Sequence, residues 1–433
     1  MGPPDDGGAA LAARNSVDRF IIDGGVPLSG TVRVSGSKNA ALPILIATLL
    51  TDDLCVVENC PTGLRDIKTT VRLLESLGKK VSVEGASVRV ESTGSLKTQA
   101  PYDIVKQMRA SVLAAGPLLA RFGLVRVPIP GGCAIGLRPI DIHLKGFEAM
   151  GARRIADQGD IIMSAARLKA GALKLRFPSV GATENLMMAA AAVPGRTVIR
   201  NAAREPEIAD LGAFLTKLGA KVSGAGTASV SVEGRAKLCG ARHRVMDDRI
   251  EAGTFLIATA ATRGKVRVAG AQAEHLEAVL SALRRAGAKI RSGRGWIEIE
   301  MRARPKATAI KTAPHPGFPT DLQAPWTALM TLAPGFSKVR EAVFENRFMH
   351  AAELGRMGAQ IAVSGGAAVV AGVEQLSGAP IMASDLRAGA ALLIAGLAAK
   401  GRTVLQRVYH VDRGYEAVER KLAGLGARVE RAR

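Results

Sequence analysis

One cysteine of this chain lies in a glycine-rich loop. Cys133 follows Pro130, Gly131 and Gly132 and precedes Gly136. Glycines let backbone approach a ligand closely, and a nearby cation lowers the pKa of an exposed thiol toward neutral pH. The pattern predicts a thiol that acts as a nucleophile or as a general acid. The alternative is a small apolar side chain in a tight turn.

A lysine stands where a Gly/Ser turn leads into an apolar stretch. Lys38 follows Ser37 and precedes Asn39 and a run of small and aliphatic residues. The N-terminus of a helix attracts anions, so Lys38 and the free backbone amides of the first turn would together bind one. The spacing is not that of a Walker A loop. The alternative is an exposed loop lysine.

Further charged residues stand at equivalent places along the chain, before apolar stretches or between helices. They are Arg109, Arg138, Arg249, Asp321, Arg347, Asp385, Arg387 and Arg413. Guanidinium groups bind phosphate and carboxylate groups through paired hydrogen bonds, and an aspartate can accept a hydroxyl proton. Each residue alone could be a solvated charge, but together they predict a shared polar cleft. His143, His315, His350 and His410 lie near these loops without zinc-ligand spacing, so no metal is expected.

The elements that must position these residues form a repeat. Six apolar helical stretches end at a glycine that is followed by a small or basic residue; the glycines are Gly78, Gly151, Gly219, Gly287, Gly358 and Gly426, spaced by 73, 68, 68, 71 and 68 residues. So steady a period predicts six copies of one supersecondary unit. Each glycine suits the left-handed position that follows a helix.

The repeats suggest how the chain divides. A chain of 433 residues is longer than one core usually supports, and three repeats on either side of residue 246 give two domains. We expect one domain at 38–246 and a second at 19–37 plus 247–433, because the strand at Ile21 and Ile22 could pair with the second half. Residues 1–18 are predicted to be a disordered extension, without the features of a signal peptide.

Composition excludes some functions. The chain has 59 basic and 38 acidic residues, a net charge of +21, which raises the possibility of nucleic-acid binding. The basic residues are scattered, however, and aromatic residues at 3% are too few for base stacking, so no nucleic-acid partner is expected. Cys55, Cys60 and Cys239 are expected to be packing or surface thiols. The longest apolar stretch, 12 residues at 388–399, is too short to span a membrane.

Nine motifs occur in order from about residue 20 to the C-terminus. They are SGSKNAALP at 35–43, MRAS at 108–111, PGGCAIGLRPID at 130–141, SVGATEN at 179–185, NAAREPE at 201–207, TAPHPGFPTD at 312–321, FENRF at 344–348, DLR at 385–387 and YHVDRGY at 409–415. This set resembles the UDP-N-acetylglucosamine 1-carboxyvinyltransferase family of enolpyruvyl transferases. The resemblance implies an α/β fold in which six βαβαββ repeats form a two-domain inside-out barrel, with the active site in the interdomain cleft.

The resemblance also implies the chemistry. The family transfers the enolpyruvyl group of phosphoenolpyruvate to the 3-hydroxyl of UDP-N-acetylglucosamine by addition and elimination, without a cofactor, in the first committed step of peptidoglycan synthesis. It implies that Cys133 is the general acid and the target of fosfomycin, and that Asp321 accepts the hydroxyl proton with help from Asp385. A location in the cytoplasm is expected.

The remaining site residues follow from the same resemblance. Phosphoenolpyruvate would be held by Lys38, Asn39, Arg138, Arg347 and Arg413. UDP-N-acetylglucosamine would lie against Arg109, Arg138, Pro139, Ile140, Asp141, Ile142, Phe177, Pro178, Ser179, Val180, Asp321 and Val343. Phe177 stands where some members of the family carry lysine. A paralogue that acts on shikimate 3-phosphate or on another nucleotide is an alternative, as is a basic nucleic-acid-binding protein, and the oligomeric state is open.

Overall fold

The structure is a computed structural model and describes residues 18–128, 140–155 and 160–433. These residues form a mixed α/β fold, as the sequence predicts. The α-helices are α1 Lys38–Ala47, α2 Arg65–Ser76, α3 Tyr102–Val105, α4 Ala115–Phe122, α5 Asp141–Ala149, α6 Val180–Ala191, α7 Pro206–Lys217, α8 Arg249–Ala261, α9 Glu277–Arg285, α10 Gln323–Met330, α11 His350–Arg356, α12 Leu386–Ala398 and α13 Val418–Gly424. Short 3-10 turns are Thr48–Leu50, Arg109–Ala114, Ala273–His275, Thr320–Leu322 and Val408–Arg413.

The described strands form six small sheets. In chain order they are β1 Arg19–Asp23, β2 Ser29–Arg33, β3 Cys55–Glu58, β4 Lys79–Glu84, β5 Ser87–Ser92, β6 Leu124–Pro128, β7 Arg153–Ile155, β8 Asp160–Ser164, β9 Ala172–Lys174, β10 Gly195–Arg200, β11 Lys221–Ser223, β12 Ser229–Gly234, β13 Arg242–Arg244, β14 Lys265–Ala269, β15 Lys289–Gly293, β16 Trp296–Glu300, β17 Ile310–Lys311, β18 Phe336–Arg340, β19 Gln360–Ser364, β20 Ala367–Ala371, β21 Pro380–Met382, β22 Arg402–Gln406 and β23 Arg428–Ala432.

The sheets share one pattern. Five have four strands, in the orders β13-β3-β5-β4, β11-β12-β10-β9, β15-β16-β14-β2, β17-β18-β20-β19 and β21-β22-β1-β23, and the sixth is β6-β8-β7. The N-terminal strand β1 pairs antiparallel with both β22 and β23, so that Ile21 faces Val404 and Ile22 faces Val429. The predicted pairing of this strand with the second half of the chain is confirmed.

The six repeated glycines all adopt the backbone conformation that the sequence predicts. Their φ angles are 104° at Gly78, 94° at Gly151, 111° at Gly219, 103° at Gly287, 92° at Gly358 and 89° at Gly426. Each stands two residues after the end of a helix (α2, α5, α7, α9, α11 or α13). A residue without Cβ enters this left-handed region at little cost, which explains why the sequence repeats a glycine there.

Two hydrophobic clusters make up the core. The first contains buried residues between 40 and 245, and the second contains residues 20–34 and 250–427. We call the parts of the chain around them the first lobe and the second lobe. Their correspondence to two independent domains stays a prediction, as does the inside-out barrel. Residues 1–17 of the expected disordered extension lie outside the described residues.

Apolar helices occupy the middle of both clusters. Every residue of α8 is buried, and nearly every residue of α1 and α12. A helix that is buried on all sides must be surrounded by protein, so these helices lie in the interior of the two clusters. A 3-10 turn at Arg109–Ala114 leads into α4, where the Gly116 amide donates to the Asn185 side chain and Pro117 has no amide to donate. Within the described ranges, no helix has the length and apolarity needed to cross a bilayer.

Candidate active site

Helix N-termini of both lobes meet at a group of ion pairs. Lys38 begins α1 in the first lobe, and its Nζ lies 3.4 Å from Oδ2 of Asp66, in the first turn of α2. The other oxygen of Asp66 accepts a 2.9 Å hydrogen bond from Nε of Arg413, which ends the 3-10 turn Val408–Arg413 in the second lobe. One carboxylate therefore joins two cations from opposite lobes.

The surroundings of Lys38 differ from the expected open helix end. Its backbone amide donates to Oδ2 of Asp248 at 3.2 Å, and Ser37 caps the helix by accepting from the amide of Ala40. Burial lowers the pKa of Lys38, and the charge of Asp66 acts against that shift. At the predicted anion site, side chains of the protein thus accept from the amides of Lys38 and Ala40, and the ammonium group of Lys38 is paired with Asp66.

A second carboxylate lies between two guanidinium groups of the second lobe. Asp321, in the turn that leads into α10, accepts from Nη2 of Arg347 through Oδ1 at 3.0 Å and from Nη2 of Arg387 through Oδ2 at 2.8 Å. Burial disfavours the ionised form of Asp321, but the charges of Arg387 and Arg347 outweigh burial and hold its pKa well below the usual value. In this arrangement Asp321 is ionised and is a weak base.

Arg347 donates hydrogen bonds through both of its Nη atoms. Its Nη1 donates to the carbonyl oxygen of Thr320 at 3.0 Å, and its guanidinium lies over the ring of Phe344, 5.0 Å from the centroid. Among the residues that the structure describes, its buried Nε has no hydrogen-bond partner.

Arg387 is fixed from two sides. It is buried at the start of α12, and its guanidinium lies 5.4 Å from the ring centroid of Tyr415. Asp385 caps this helix, because its Oδ1 accepts from the backbone amides of Arg387 and Ala388. Asp385 is thus the N-cap of α12. Its expected assistance in proton transfer stays a prediction.

These groups share one electrostatic environment. The charges of Asp66, Arg387, Asp321 and Arg413 all act on Lys38. In these ion pairs four cations, Lys38, Arg347, Arg387 and Arg413, share the two carboxylates of Asp66 and Asp321, while Asp248 and Asp385 add negative charge at the neighbouring helix ends. A group of cations that shares fewer carboxylates suits a small ligand that carries a phosphate and a carboxylate.

The residues expected to hold a nucleotide lie at the ends of α5 and α6. Asp141 begins α5 and forms a 2.8 Å ion pair with Arg176, while Ser179 caps α6 by accepting from the amide of Ala182. Phe177 is 40% exposed, as a ring that stacks on a ligand would be in the free protein. Val343, in the loop after β18, donates its amide to Glu341.

A buried histidine lies beneath this region. His143 of α5 has its Nδ1 3.0 Å from Nδ2 of Asn185, whose Oδ1 accepts from the amide of Gly116. Nδ2 must therefore donate, and the ring proton of the neutral imidazole lies on Nε2. Burial, then the charge of Arg109, lowers the pKa of His143 to about 4, so the ring is neutral at physiological pH.

Of the fifteen predicted site residues that the structure describes, six lie on helix ends and loops around the ion pairs: Lys38, Asn39, Asp321, Arg347, Asp385 and Arg413. The other nine are residues expected to hold the nucleotide sugar: Arg109, Ile140, Asp141, Ile142, Phe177, Pro178, Ser179, Val180 and Val343. Cys133, Arg138 and Pro139 lie outside the described residues. Sequence reasoning assigned no role to Asp66 or Asn185, and gave Arg387 only as one of the charges of the cleft. An acidic residue at the start of an amphipathic helix was the signal available for Asp66, but solvated residues share that signal.

The chain matches one protein-family model over most of its length. This model is described as EPSP synthase (3-phosphoshikimate 1-carboxyvinyltransferase) and matches residues 22–422. Among curated proteins, the chain is 51% identical over 415 residues to a UDP-N-acetylglucosamine 1-carboxyvinyltransferase of Geotalea daltonii, covering 96% of this chain and 99% of that protein. It is 52% identical over 417 residues to the protein of the same name from Elusimicrobium minutum, covering 96% and 99%.

Solved structures show the same fold at low identity. The enolpyruvyl transferase NikO from Streptomyces tendae superposes with a TM-score of 0.85 at 24% identity, covering 96% of this chain and 99% of that one. EPSP synthase from Acinetobacter baumannii superposes with a TM-score of 0.71 at 17% identity, covering 96% and 100%. The mixed α/β fold is therefore that of the enolpyruvyl transferases.

Proposed function

The chain belongs to the EPSP synthase family and, within it, to the UDP-N-acetylglucosamine 1-carboxyvinyltransferases, and from this membership we propose how its site works. The enzyme transfers the enolpyruvyl group of phosphoenolpyruvate to the 3-hydroxyl of UDP-N-acetylglucosamine and releases phosphate. This reaction is the first committed step of peptidoglycan synthesis.

The observation that carries the proposal is the group of four cations around two carboxylates. Phosphoenolpyruvate has a phosphate and a carboxylate on neighbouring atoms, and each needs its own cation. Lys38, with Asn39 beside it and Arg138 from the cysteine loop, would bind the phosphate. Arg347 and Arg413 would bind the carboxylate after leaving Asp321 and Asp66, which take the place of the ligand in the free protein.

The reaction then proceeds by addition and elimination. The 3-oxygen of the sugar forms a bond to C2 of phosphoenolpyruvate, its proton passes to Asp321, and C3 receives a proton from the Cys133 thiol. Loss of a proton from C3 and of phosphate from C2 restores the double bond. Cations around the phosphate stabilise the charge that collects there on elimination.

The nucleotide would lie on the first-lobe side of the cleft. Arg109, residues 138–142 and residues 177–180 would contact it, and the neutral ring of His143 in α5 would offer one N–H donor to the diphosphate. Val343 and Asp321 approach from the second lobe, so the sugar is reached from both sides. We propose that the two lobes are the two domains of an inside-out barrel and that the nucleotide sugar closes them.

A phosphate-release assay tests the function. Purified protein should release phosphate when phosphoenolpyruvate and UDP-N-acetylglucosamine are both present, and each substrate alone is the control. Release of phosphate with shikimate 3-phosphate in place of the nucleotide sugar would show that the acceptor substrate is shikimate 3-phosphate. No release with either acceptor would overturn the proposal.

The role of Cys133 has a separate test. Fosfomycin should alkylate this thiol, and intact-mass measurement should show one adduct that Cys133→Asp abolishes. The introduced carboxylic acid can still donate a proton, so the variant should keep measurable activity and resist the drug. Adduct formation that persists in the variant would place the reactive thiol elsewhere, at Cys55, Cys60 or Cys239.

A further inference from the structure

Residues 408–416, which carry Arg413, meet the first lobe at the start of α2. One contact there is the ion pair of Arg413 with Asp66. Another is made by Glu416, whose Oε1 accepts from the backbone amide of Gly63 at 2.7 Å. Phosphoenolpyruvate would take Arg413 away from Asp66, whereas the contact of Glu416 with Gly63 uses no group that binds a substrate in the proposed reaction.

The other oxygen of Glu416 reaches the chain segment that connects the two lobes. Oε2 accepts from the hydroxyl of Ser35 at 3.1 Å, and Ser35 lies between β2 of the second lobe and α1 of the first. The same hydroxyl accepts from Nζ of Lys421 at 2.7 Å. A hydroxyl has one proton, so Ser35 donates it to Glu416 and keeps a lone pair for Lys421.

Ser35 is also fixed through its backbone. Its amide donates to Oε2 of Glu251 in α8 at 2.6 Å, and its carbonyl oxygen accepts from the amide of Asp248 at 2.8 Å. Nζ of Lys421 lies 2.5 Å from Oε1 of Glu251, whose side chain is 2% exposed. The hydrogen bond between Ser35 and Glu416 therefore attaches Glu416 to a buried ion pair of the second lobe.

The backbone on both sides of Glu416 is constrained. Ala417, the N-cap of α13, has a φ of 47°, a left-handed conformation that a residue with Cβ adopts at a cost. Tyr415 is buried, and its hydroxyl lies 2.8 Å from Oγ1 of Thr254. The backbone as well as the hydrogen bonds thus directs the Glu416 side chain toward the first lobe.

The first-lobe side of this contact requires a glycine. A Cβ at position 63 would lie 2.5 Å from Oε1 of Glu416 and 3.0 Å from its Cγ. Gly63 does not have a left-handed φ, so alanine would fit its backbone. The added methyl group would instead push the carboxylate of Glu416 away from the Gly63 amide, which makes Gly63→Ala a direct probe of the contact.

We propose that Glu416 is a positioning residue for Arg413. It accepts from Gly63 with one oxygen and from Ser35 with the other, and so holds the turn that carries Arg413 against the first lobe. The turn keeps this place while the guanidinium passes from Asp66 to the carboxylate of phosphoenolpyruvate. The inference rests on the proposed function, because phosphoenolpyruvate is the ligand that Arg413 receives.

Steady-state kinetics of Gly63→Ala and Glu416→Ala test the proposal. In both variants KM for phosphoenolpyruvate should rise by about fivefold or more, because Arg413 no longer lies opposite the carboxylate. KM for UDP-N-acetylglucosamine and kcat should change by less than about threefold, since the nucleotide contacts, the acid and the base are unaltered. A merely structural role would lower the amount of active enzyme and leave both KM values in place.

Glu416→Gln separates the position of this side chain from its charge. The amide oxygen of glutamine can accept from Gly63, and its amide nitrogen can donate to the Ser35 hydroxyl. This variant should therefore keep KM for phosphoenolpyruvate within about twofold of the unaltered value. A rise as large as that in Glu416→Ala would mean that the charge of Glu416 matters and not its contacts, which contradicts the inference.

Gly94→Ala is the matched control for Gly63→Ala. Within the described part of the chain, no atom lies within 4 Å of a Cβ at position 94, so the kinetics should be unchanged. If Glu416→Ala does not fold, Gly63→Ala decides. An unchanged KM for phosphoenolpyruvate in Gly63→Ala, or an equal rise of both KM values, would overturn the inference. Lack of phosphate release in the unaltered protein would instead overturn the proposed function.

Discussion

Asp66 and Asp321 each hold two cations, but they do so in different ways. Asp66 joins Lys38 of its own lobe to Arg413 of the other, and the Arg413 side chain is 39% exposed. Asp321 takes both its partners from the second lobe, and the side chains of Arg347 and Arg387 are 5% and 7% exposed. The first group is a contact between lobes, and the second is part of one lobe.

The difference indicates which parts of the site move. An ion pair between lobes with an exposed partner contributes little free energy, so a ligand can replace it and the lobes can separate. Two buried guanidinium groups are costly to leave without the carboxylate that they share, so only a ligand of equal charge can take one of them. We infer that Asp66 governs opening of the cleft and that Asp321 governs the chemistry within it.

The largest expected effect is that of Asp321→Asn. Loss of the base should lower kcat by about a hundredfold to ten-thousandfold. The two arginines left without a carboxylate should lower the free energy of unfolding by about 3 kcal/mol. Phosphate release and urea unfolding measure the two effects.

Asp23→Asn is the matched control, because it removes a carboxylate from an exposed arginine pair and should leave the free energy of unfolding nearly unchanged. Equal losses of stability in the two variants would show that the Asp321 group is no stronger than a surface pair.

Asp66→Asn should have a smaller effect on kcat, about tenfold or less, and a distinct effect on anion binding. Without the carboxylate, Lys38 and Arg413 keep their charges and attract an external anion in its place. Inorganic phosphate should therefore inhibit the variant more strongly than the unaltered protein. Inhibition that is unchanged or weaker would mean that Asp66 does not occupy the place of a ligand anion.

The smallest expected effect concerns pH and stability. Burial lowers the pKa of His143 in the first lobe and of His350 in the second to about 4. The unfolded chain takes up protons below about pH 6.5 and the folded protein does not, so stability is lost as pH falls from 6.5 toward 4.

Replacement of His350 by leucine should reduce the loss between pH 7 and pH 5 by about 1–2 kcal/mol. Urea unfolding at the two pH values measures the difference, with His143→Leu as the comparison in the other lobe. A variant whose stability falls as steeply as that of the unaltered protein would show that His350 is protonated in the folded state.

Local features of the fold could be predicted from the sequence. Each repeated glycine follows a helix and takes a left-handed φ, a requirement set by its immediate neighbours. The start of α1 at Lys38 also depends on adjacent residues, since Ser37 caps that helix. The pairing of β1 with the second half of the chain was also predicted, because a short apolar strand before the first repeat needs partners.

Long-range ion pairs could not be predicted. Arg413 and Asp66 are 347 residues apart, and the amide of Lys38 meets Asp248 across 210 residues. No spacing in the sequence encodes these contacts, because they arise only when the lobes pack. The anion site predicted at α1 stays a prediction, and the sequence did not show that Asp248 and the Ser37 hydroxyl accept from the amides of Lys38 and Ala40.

A crystal structure with both substrates is the most direct test of the central claim, that the two aspartates hold places which the ligand takes. Replacement of Cys133 by alanine would slow protonation of C3 and preserve the complex. We predict that Arg347 and Arg413 lie within about 3.2 Å of the carboxylate of phosphoenolpyruvate and that the carboxylate of Asp321 faces the 3-hydroxyl. A ligand in the cleft with both arginines still on Asp321 and Asp66 would contradict this mechanism.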